Sequence, residues 1–328
     1  MIWEDKVVLL TGGTGSFGTN FLKYFLTKYT PKQIRVYSRD EFKQTNLLEQ
    51  YKNERINGLI GDIRDLQRLK RAMKGVDIVI HAAALKQVQS CEYNTFETIK
   101  TNILGSMNIV DAALDCDIEK VLAISTDKAV FPINLYGATK MCMEKIIIGG
   151  NNYRGRGRTK FSCVRYGNVA CSRGSVIPKW RELRIKKEPI PITNPQSTRF
   201  WLEFQQAVQF VINSLELMEQ FDGGEIFIPI IPSVNIMDLY HAFSTPDCSL
   251  MIVGNRMGDK LHESLISIDE VKHTIERDNR FIICPENPKW KYSKPIGERC
   301  DYYEGYRSDN NRWFLKVDEI KKRLEENP

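Results

Sequence analysis

The run Val7-Val8-Leu9-Leu10 passes without a break into Thr11-Gly12-Gly13-Thr14-Gly15-Ser16-Phe17-Gly18, and this junction limits the folds open to the chain more than any other stretch. A short apolar run reads as a buried strand, and Gly12, Gly15 and Gly18 recur as G-x-x-G-x-x-G just where a helix pattern opens. Glycine there lets the backbone turn tightly and approach a pyrophosphate, whose charge is stabilised by the N-terminus of the following helix. The motif therefore points to dinucleotide binding, with Gly12, Thr14, Gly15, Ser16, Phe17 and Gly18 as the residues around the phosphates.

The same rhythm continues to about Tyr166. Ile34–Tyr37, Gly58–Ile60, Val76–Ile80, Val121–Ile124 and Phe161–Val164 are short apolar runs separated by helix-length segments, the pattern of strands buried on both faces of a parallel sheet. The expected fold class is α/β, a Rossmann-type doubly wound parallel sheet with a smaller mixed α/β substrate-binding region. Pro178, Pro189, Pro191, Pro195, Pro229 and Pro232 then break the rhythm into shorter elements. We divide the chain into a dinucleotide-binding part, residues 1–170, and a smaller substrate-binding part, residues 171–328, interleaved with it. Within the second part, 207–220 and 317–324 read as helices.

The residues after the second strand bear on which dinucleotide is bound. An acid at that point would take the ribose hydroxyls, but here Ser38 and Arg39 come before Asp40 and Lys43. An arginine with a neighbouring hydroxyl pairs with a 2′-phosphate, so NADP is favoured over NAD; Asp40 is alternatively a helix N-cap. Asp62 and Ile63 after strand three, and Ala82, Ala83 and Ala84 after strand four, fall on the carboxyl edge where adenine and ribose would rest.

Chemistry concentrates at Ser125-Thr126-Asp127-Lys128, followed by Tyr136 and Lys140. Tyr136 and Lys140, four apart, share one helix face, and Thr126 ends the strand before them. These three form a candidate redox trio. Asp127 and Lys128 add a second acid and base, which suggests more than a simple oxidation; the bland alternative is a solvated turn or local ion pair.

With 42% hydrophobic and 27% charged residues among 328, the chain has ample material for a core. A net charge of +6, spread out, reads as a solvated surface, and no basic aromatic patch suggests nucleic acid. Even Arg154-Gly155-Arg156-Gly157-Arg158 reads as a surface loop. The eight cysteines show no C-x-x-C spacing, so neither a metal site nor a disulfide framework is expected, and a reducing compartment is the simplest account. The acidic N-terminus Met1–Asp5 and the absence of a long apolar window give the expectation of a cytoplasmic protein with no membrane insertion.

The chain resembles the extended short-chain dehydrogenase/reductase family and, within it, the inverting UDP-N-acetylglucosamine 4,6-dehydratases of the polysaccharide-biosynthesis type. The likeness runs through Thr11–Gly18, Tyr37–Gln44, Ala84–Val88, Ser125–Lys128, Asn134–Lys140, Arg165–Val169, Ser172–Val176, Thr198–Trp201 and Lys260–Glu263. Thr-Asp-Lys ahead of Tyr-x-x-x-Lys is its most specific element. Three positions depart from the family pattern: Arg-Pro-Gly-Glu-Lys is here Arg256-Met257-Gly258-Asp259-Lys260, changed at 257 and 259, and a glycine is replaced by Cys171.

The resemblance implies a reaction and its residues. Tyr136 would take the proton of the sugar's 4-hydroxyl, with Thr126 bonded to the same hydroxyl and Lys140 lowering the phenol's pKa and holding the nicotinamide ribose. The resulting 4-ketone acidifies carbon 5. Lys128 would remove that proton if its surroundings lower its pKa, and a protonated Asp127 would serve the departing 6-hydroxyl. Retaining relatives are expected to carry Asp-Glu at these positions, so Asp-Lys implies inversion at carbon 5. Lys86, Arg173, Arg199 and Arg256 are the implied anion handles, with Asn168, Ser175, Val176, Thr198, Asp259 and Glu263 also on the substrate side. Lys86, Tyr166 and Gly167 would border the cofactor. Asn102 is placed there too, in a structural or relay role. A homo-oligomer, dimer or hexamer, is implied. The alternatives are a related nucleotide-sugar dehydratase or epimerase acting on a different sugar nucleotide or adding an epimerisation, and a non-catalytic NADP-binding member of the fold; intact Thr126, Tyr136 and Lys140 argue against the latter.

Overall fold

A computed structural model describes residues 3–326; Met1 and Ile2, where the N-terminal reading begins, lie outside the described residues. Six strands, β1 (Val7–Thr11), β2 (Gln33–Ser38), β3 (Ile56–Ile60), β4 (Ile78–His81), β5 (Lys120–Thr126) and β6 (Lys160–Tyr166), pair in parallel in the order 3-2-1-4-5-6. Strand order reverses between β1 and β4, and a crevice opens at such a point beyond the carboxyl ends of the strands. All five residues of β1 are buried, as expected for a strand covered on both faces.

Helix Ser16–Lys28 packs its Phe21, Leu22 and Phe25 into the core. Phe21 stacks on Phe25 at 4.9 Å between ring centroids, and Trp3 meets Phe25 edge-on at 4.8 Å. Asp40 and Asp65 cap helices Glu41–Tyr51 and Leu66–Met73 by accepting from the backbone N–H of Lys43 and Arg68, satisfying donors that a helix start leaves free.

The sheet does not stop at β6. Ile226–Pro229 continues it in parallel, and Arg280–Ile283, Thr274–Arg277 and Glu298–Arg299 extend it antiparallel to ten strands. A second, smaller core gathers Ile177, Trp180, Ile190, Ile192, Trp201, Val234, Leu239, Tyr240 and Phe243 with Leu315 and Ile320. Helix Phe204–Leu217, continued by a 3-10 turn over Met218–Gln220, and helix Val317–Glu326 take up the two segments read as helical in the second half. Among the described residues no helix is long and apolar enough to cross a membrane, and no cluster of His, Cys, Asp and Glu has the makings of a metal site.

The arginine-glycine run 154–158 is a tied loop. Arg154 donates to the carbonyl of Asp222 at 2.7 Å and Arg158 pairs with Glu119 at 3.1 Å.

Candidate active site

The crevice at the switch point is a cleft of about 1230 Å³, above the size usual for a single small ligand. Its floor is the glycine loop. Gly12 sits at φ +69°, and a Cβ there would lie 2.9 Å from Cα of Ala83, so only glycine lets the loop close on the exit of β4. Gly18 does not line the cleft; a Cβ on it would stand 2.3 Å from the carbonyl oxygen of Gly13, which shows that it serves packing of the helix start. Behind the loop, the Thr11 hydroxyl is 2.9 Å from His81 Nδ1 and accepts from the N–H of Ala82 and Ala83. Burial, helped by Lys140, pulls the His81 pKa down to about 3, so this histidine is a neutral strut.

Thr14, Gly15, Ser16 and Phe17, the β2 exit with Ser38, Arg39, Asp40 and Lys43, and Asp62, Ile63, Ala82, Ala83 and Ala84 all line one end. The β2 exit is electrostatically uneven. Asp40 is spent on its helix cap and on the Lys43 ammonium at 2.5 Å, while Arg39 stands 54% exposed, 3.8 Å from Asp62. Ser38 Oγ accepts from Gln44 at 2.9 Å.

Thr126, Lys128, Tyr136 and Lys140 meet at the centre of the cleft with Tyr166, Gly167 and Asn168. Thr126 closes β5, and Asp127–Ala129 turns one 3-10 loop before helix Leu135–Gly149 begins. Asn134 caps that helix through Gly137 N–H at 2.8 Å, and its amide also donates to the carbonyl of Gly258 at 2.9 Å. Lys140 is buried and donates to the carbonyl of Ile124 at 2.6 Å; burial lowers its pKa to about 8. Burial pushes the Tyr136 phenol up to about 12, against the Lys128 charge and a hydrogen bond with Thr126, both of which lower it. Lys128 is thus a cation acting on the phenol in this arrangement.

Asp127 does not face the cleft. Its carboxyl is buried behind the wall, with Oδ1 accepting from the Thr126 hydroxyl at 2.9 Å and from Lys128 Nζ at 3.1 Å. Its Oδ2 has no hydrogen-bond partner, and Gly167 leaves it space, since a Cβ there would come within 3.2 Å of that oxygen. Burial raises the Asp127 pKa, partly offset by Lys128. For Lys128 the expectation of a lowered pKa is reversed: burial does penalise its charge, but Asp127 and Glu263 outweigh that and raise it.

The substrate-side residues divide. Lys86, Arg173, Ser175, Val176, Arg199, Arg256 and Asp259 line the cleft, whereas Thr198 and Glu263 lie behind it. Desolvation and the charges of Arg173 and Lys128 lower the pKa of Lys86, so positive charge clusters at this end of the cleft. Arg199 is largely committed, donating to the carbonyls of Thr198, Lys260 and Leu261 at 2.7–2.9 Å. Thr198 Oγ1 is bonded to His262 and Ser308. The Ser175 hydroxyl, at the start of helix Val176–Lys186, is buried with no partner. Asn102 is also off the cleft: within a π-turn, 100–104, its amide bridges both backbone groups of Leu85 at 2.9 Å and reaches Thr139 at 3.0 Å. Such turns often mark places where a helix is bent to a task, here holding the loop that carries Lys86.

Two departures from the family pattern have different outcomes. Cys171 adopts φ +59°, the left-handed region that favours glycine, so its backbone keeps the glycine's shape. Asp259 still lines the cleft. The sequence reading missed Gln87, Lys179 and Lys260. Gln87 and Lys179 line the cleft, and Lys260 donates to the carbonyl of Val130 at 2.5 Å just beyond Lys128; Gln87 and Lys260 stand inside quoted motifs and Lys179 three residues past one, which was the available signal.

The polysaccharide biosynthesis protein family model matches residues 8–285. An inverting UDP-N-acetylglucosamine 4,6-dehydratase of Campylobacter jejuni subsp. jejuni serotype O:23/36 (strain 81-176) is 46% identical, with 97% of each chain covered. A UDP-glucose 4-epimerase of Rickettsia bellii (strain RML369-C) is 39% identical over 98% of this chain and 96% of its own. Among solved structures, Pen from Bacillus thuringiensis matches with a TM-score of 0.89 and 35% identity, covering 99% of this chain and 100% of that one.

Proposed function

The chain belongs to the polysaccharide biosynthesis protein family, and from that membership we propose that it is an inverting 4,6-dehydratase. It converts UDP-N-acetylglucosamine to the 4-keto-6-deoxy-L-hexose UDP-2-acetamido-2,6-dideoxy-β-L-arabino-hexos-4-ulose. The observation that carries this reading is the Asp127–Lys128 pair, 3.1 Å apart, beside Thr126, Tyr136 and Lys140. A 4-epimerase needs only the trio; the added acid and base give water loss a purpose.

When bound, a nicotinamide cofactor supplies reversible two-electron oxidation, first at carbon 4 and later in reverse at carbon 6. The glycine loop, with Gly12 pressed on Ala83, is the cradle for its diphosphate. NADP is the cofactor we propose, supported by Arg39, exposed at the β2 exit with Asp62 no nearer than 3.8 Å, while Asp40 is occupied by Lys43. Tyr136 takes the proton of the 4-hydroxyl, with Thr126 and the Lys128 charge stabilising the phenolate.

Once carbon 4 is a ketone, carbon 5 gives up its proton to Lys128. The ion pair already contains the needed acid and base in another arrangement: moving one proton from Lys128 Nζ to Asp127 Oδ1 leaves an amine and a carboxylic acid. Because Asp127 lies behind the wall, its proton leaves through the Thr126 hydroxyl, 2.9 Å away, toward the departing 6-hydroxyl. A proton from solvent, added to carbon 5 on the opposite face, then gives the L-sugar.

Lys86, Arg173 and Arg256, with the helix N-terminus at Ser175, suit the substrate diphosphate. We assign the cofactor to residues 1–170 and the sugar nucleotide mainly to 171–328. A cytoplasmic homo-oligomer is proposed with it, supported by Tyr93 and Phe96 exposed at 89% and 78% beside the Tyr136 helix. The epimerase relative favours one second reading, interconversion at carbon 4 without water loss. NMR of the product from UDP-N-acetylglucosamine decides between them: a 6-methyl doublet supports dehydration, and a hexose with carbon 6 still hydroxylated contradicts it.

A further inference from the structure

We propose that Glu263 is the positioning residue that holds Lys128 as an ammonium ion and so sets the pH at which Lys128 can act as a base. This rests on the reading of Lys128 as the base for carbon 5. The geometry is specific. Lys128 Nζ has three acceptors, Asn168 Oδ1 at 3.0 Å, Asp127 Oδ1 at 3.1 Å and Glu263 Oε1 at 3.2 Å. An ammonium has three N–H bonds to give and an amine only two, so this set of partners matches the charged form with no lone pair left for a carbon-bound proton.

Becoming a base requires one of the three partners to accept a proton. The Asn168 amide cannot. If Asp127 accepts, the N–H bond breaks, an O–H bond forms on Oδ1, and no proton is gained or lost overall. Glu263 opposes that transfer because an anion on the far side of the nitrogen stabilises the ammonium it faces.

Glu263 is held in place. It is 2% exposed; its N–H donates to Ser308 Oγ at 2.9 Å, and its carbonyl accepts from Ser308 N–H at 2.8 Å. Its backbone is therefore anchored, and burial confines its carboxylate beside Lys128. The charged and titratable groups around the pair are Asp127, Tyr136, Lys86, Arg199 and Lys260. Burial raises the Glu263 pKa, but the Lys128 charge, followed by Arg199 and by Lys260 at 3.9 Å from Oε2, outweighs it and keeps Glu263 ionised. The same side chains tether the segment: Arg199 holds the carbonyls of Lys260 and Leu261, and Lys260 donates to that of Val130.

The test is a direct titration of Lys128 in the enzyme without sugar nucleotide, using lysine labelled with carbon-13 at Cε and the resonance assigned by its loss in K128R. In the wild type Lys128 is expected to remain charged at about pH 10, where an exposed lysine begins to titrate. In Glu263→Gln, which keeps the shape and the backbone anchors, the midpoint is expected to fall by about 1–3 pH units, and Glu263→Asp is expected to restore most of the difference. The ascending limb of the kcat/KM profile, which reports the base, should move to lower pH with it. A purely structural role would alter stability and leave the titration alone. An unmoved midpoint in E263Q overturns the proposal; if E263Q does not fold, a wild-type midpoint below about 9 overturns it. Because the titration needs no turnover, absence of dehydration would count against the substrate reading alone.

Discussion

The backbone carbonyl of Lys128 occupies the ground where a side chain on Gly137 would begin: a Cβ on Gly137 would lie 2.1 Å from that oxygen. This close approach seats the first turn of helix Leu135–Gly149 on the Asp127–Ala129 turn and brings Tyr136 to Thr126.

Gly137→Ala is therefore expected to push the helix off the turn. Overpacking of this kind costs about 1–3 kcal/mol, and a displacement near 1 Å at the reacting groups costs about a hundredfold in rate. Thermal unfolding and turnover measured on one preparation check both; unchanged stability would show that the contact is not tight.

Tyr136→Phe removes the phenol while leaving the ring. Turnover should fall by about 10²–10⁴-fold, with binding of UDP unchanged by calorimetry, since the diphosphate handles at Lys86, Arg173 and Arg256 are untouched. Retained turnover would move the base elsewhere.

Arg39→Ala addresses the cofactor. Loss of a charge-assisted contact to a 2′-phosphate is worth about 1.5–3 kcal/mol, so NADP affinity should drop by about 10–100-fold while NAD affinity stays near its wild-type value. Equal loss of both would assign Arg39 to a contact the two dinucleotides share.

Much of this was legible in the sequence because it is local. The G-x-x-G-x-x-G turn, the six parallel strands and the Tyr136–Lys140 face are each written within a few residues, at spacings that backbone geometry reads directly. What was not legible depends on partners far apart in the chain. Ile226–Pro229 joins β6 across the whole smaller core, and Glu263 reaches Lys128 from a segment that the motif placed on the substrate side. Lys128 itself shows why: its sign of shift is set by those neighbours, and a sequence that shows Asp127 beside it does not show Glu263. Asp127 behind the wall and Asn102 spent on Leu85 are likewise outcomes of packing.

Away from the cleft, Glu225 gives a pH dependence. It is fully buried beneath β6, Ser162 donates to its Oε2 at 2.7 Å, and Oε1 has no partner. Burial raises its pKa from 4.5 to about 7. A carboxyl raised on folding favours the fold while protonated, so this contribution is complete below about pH 4.5 and is lost as pH rises through about 7. The gap corresponds to about 3 kcal/mol. Chemical denaturation of Glu225→Gln between pH 5 and 8 should show a flatter stability profile than the wild type; identical slopes would assign the ionisation elsewhere.

The most direct test of Asp127 and Lys128 as an acid and base added to a redox trio is the reaction of UDP-N-acetylglucosamine in deuterated water, followed by NMR. The expected product has lost water, carries one solvent deuteron at carbon 5, and has the inverted, L configuration there. A product with carbon 5 in its original configuration, or one that has kept its 6-hydroxyl, would contradict it.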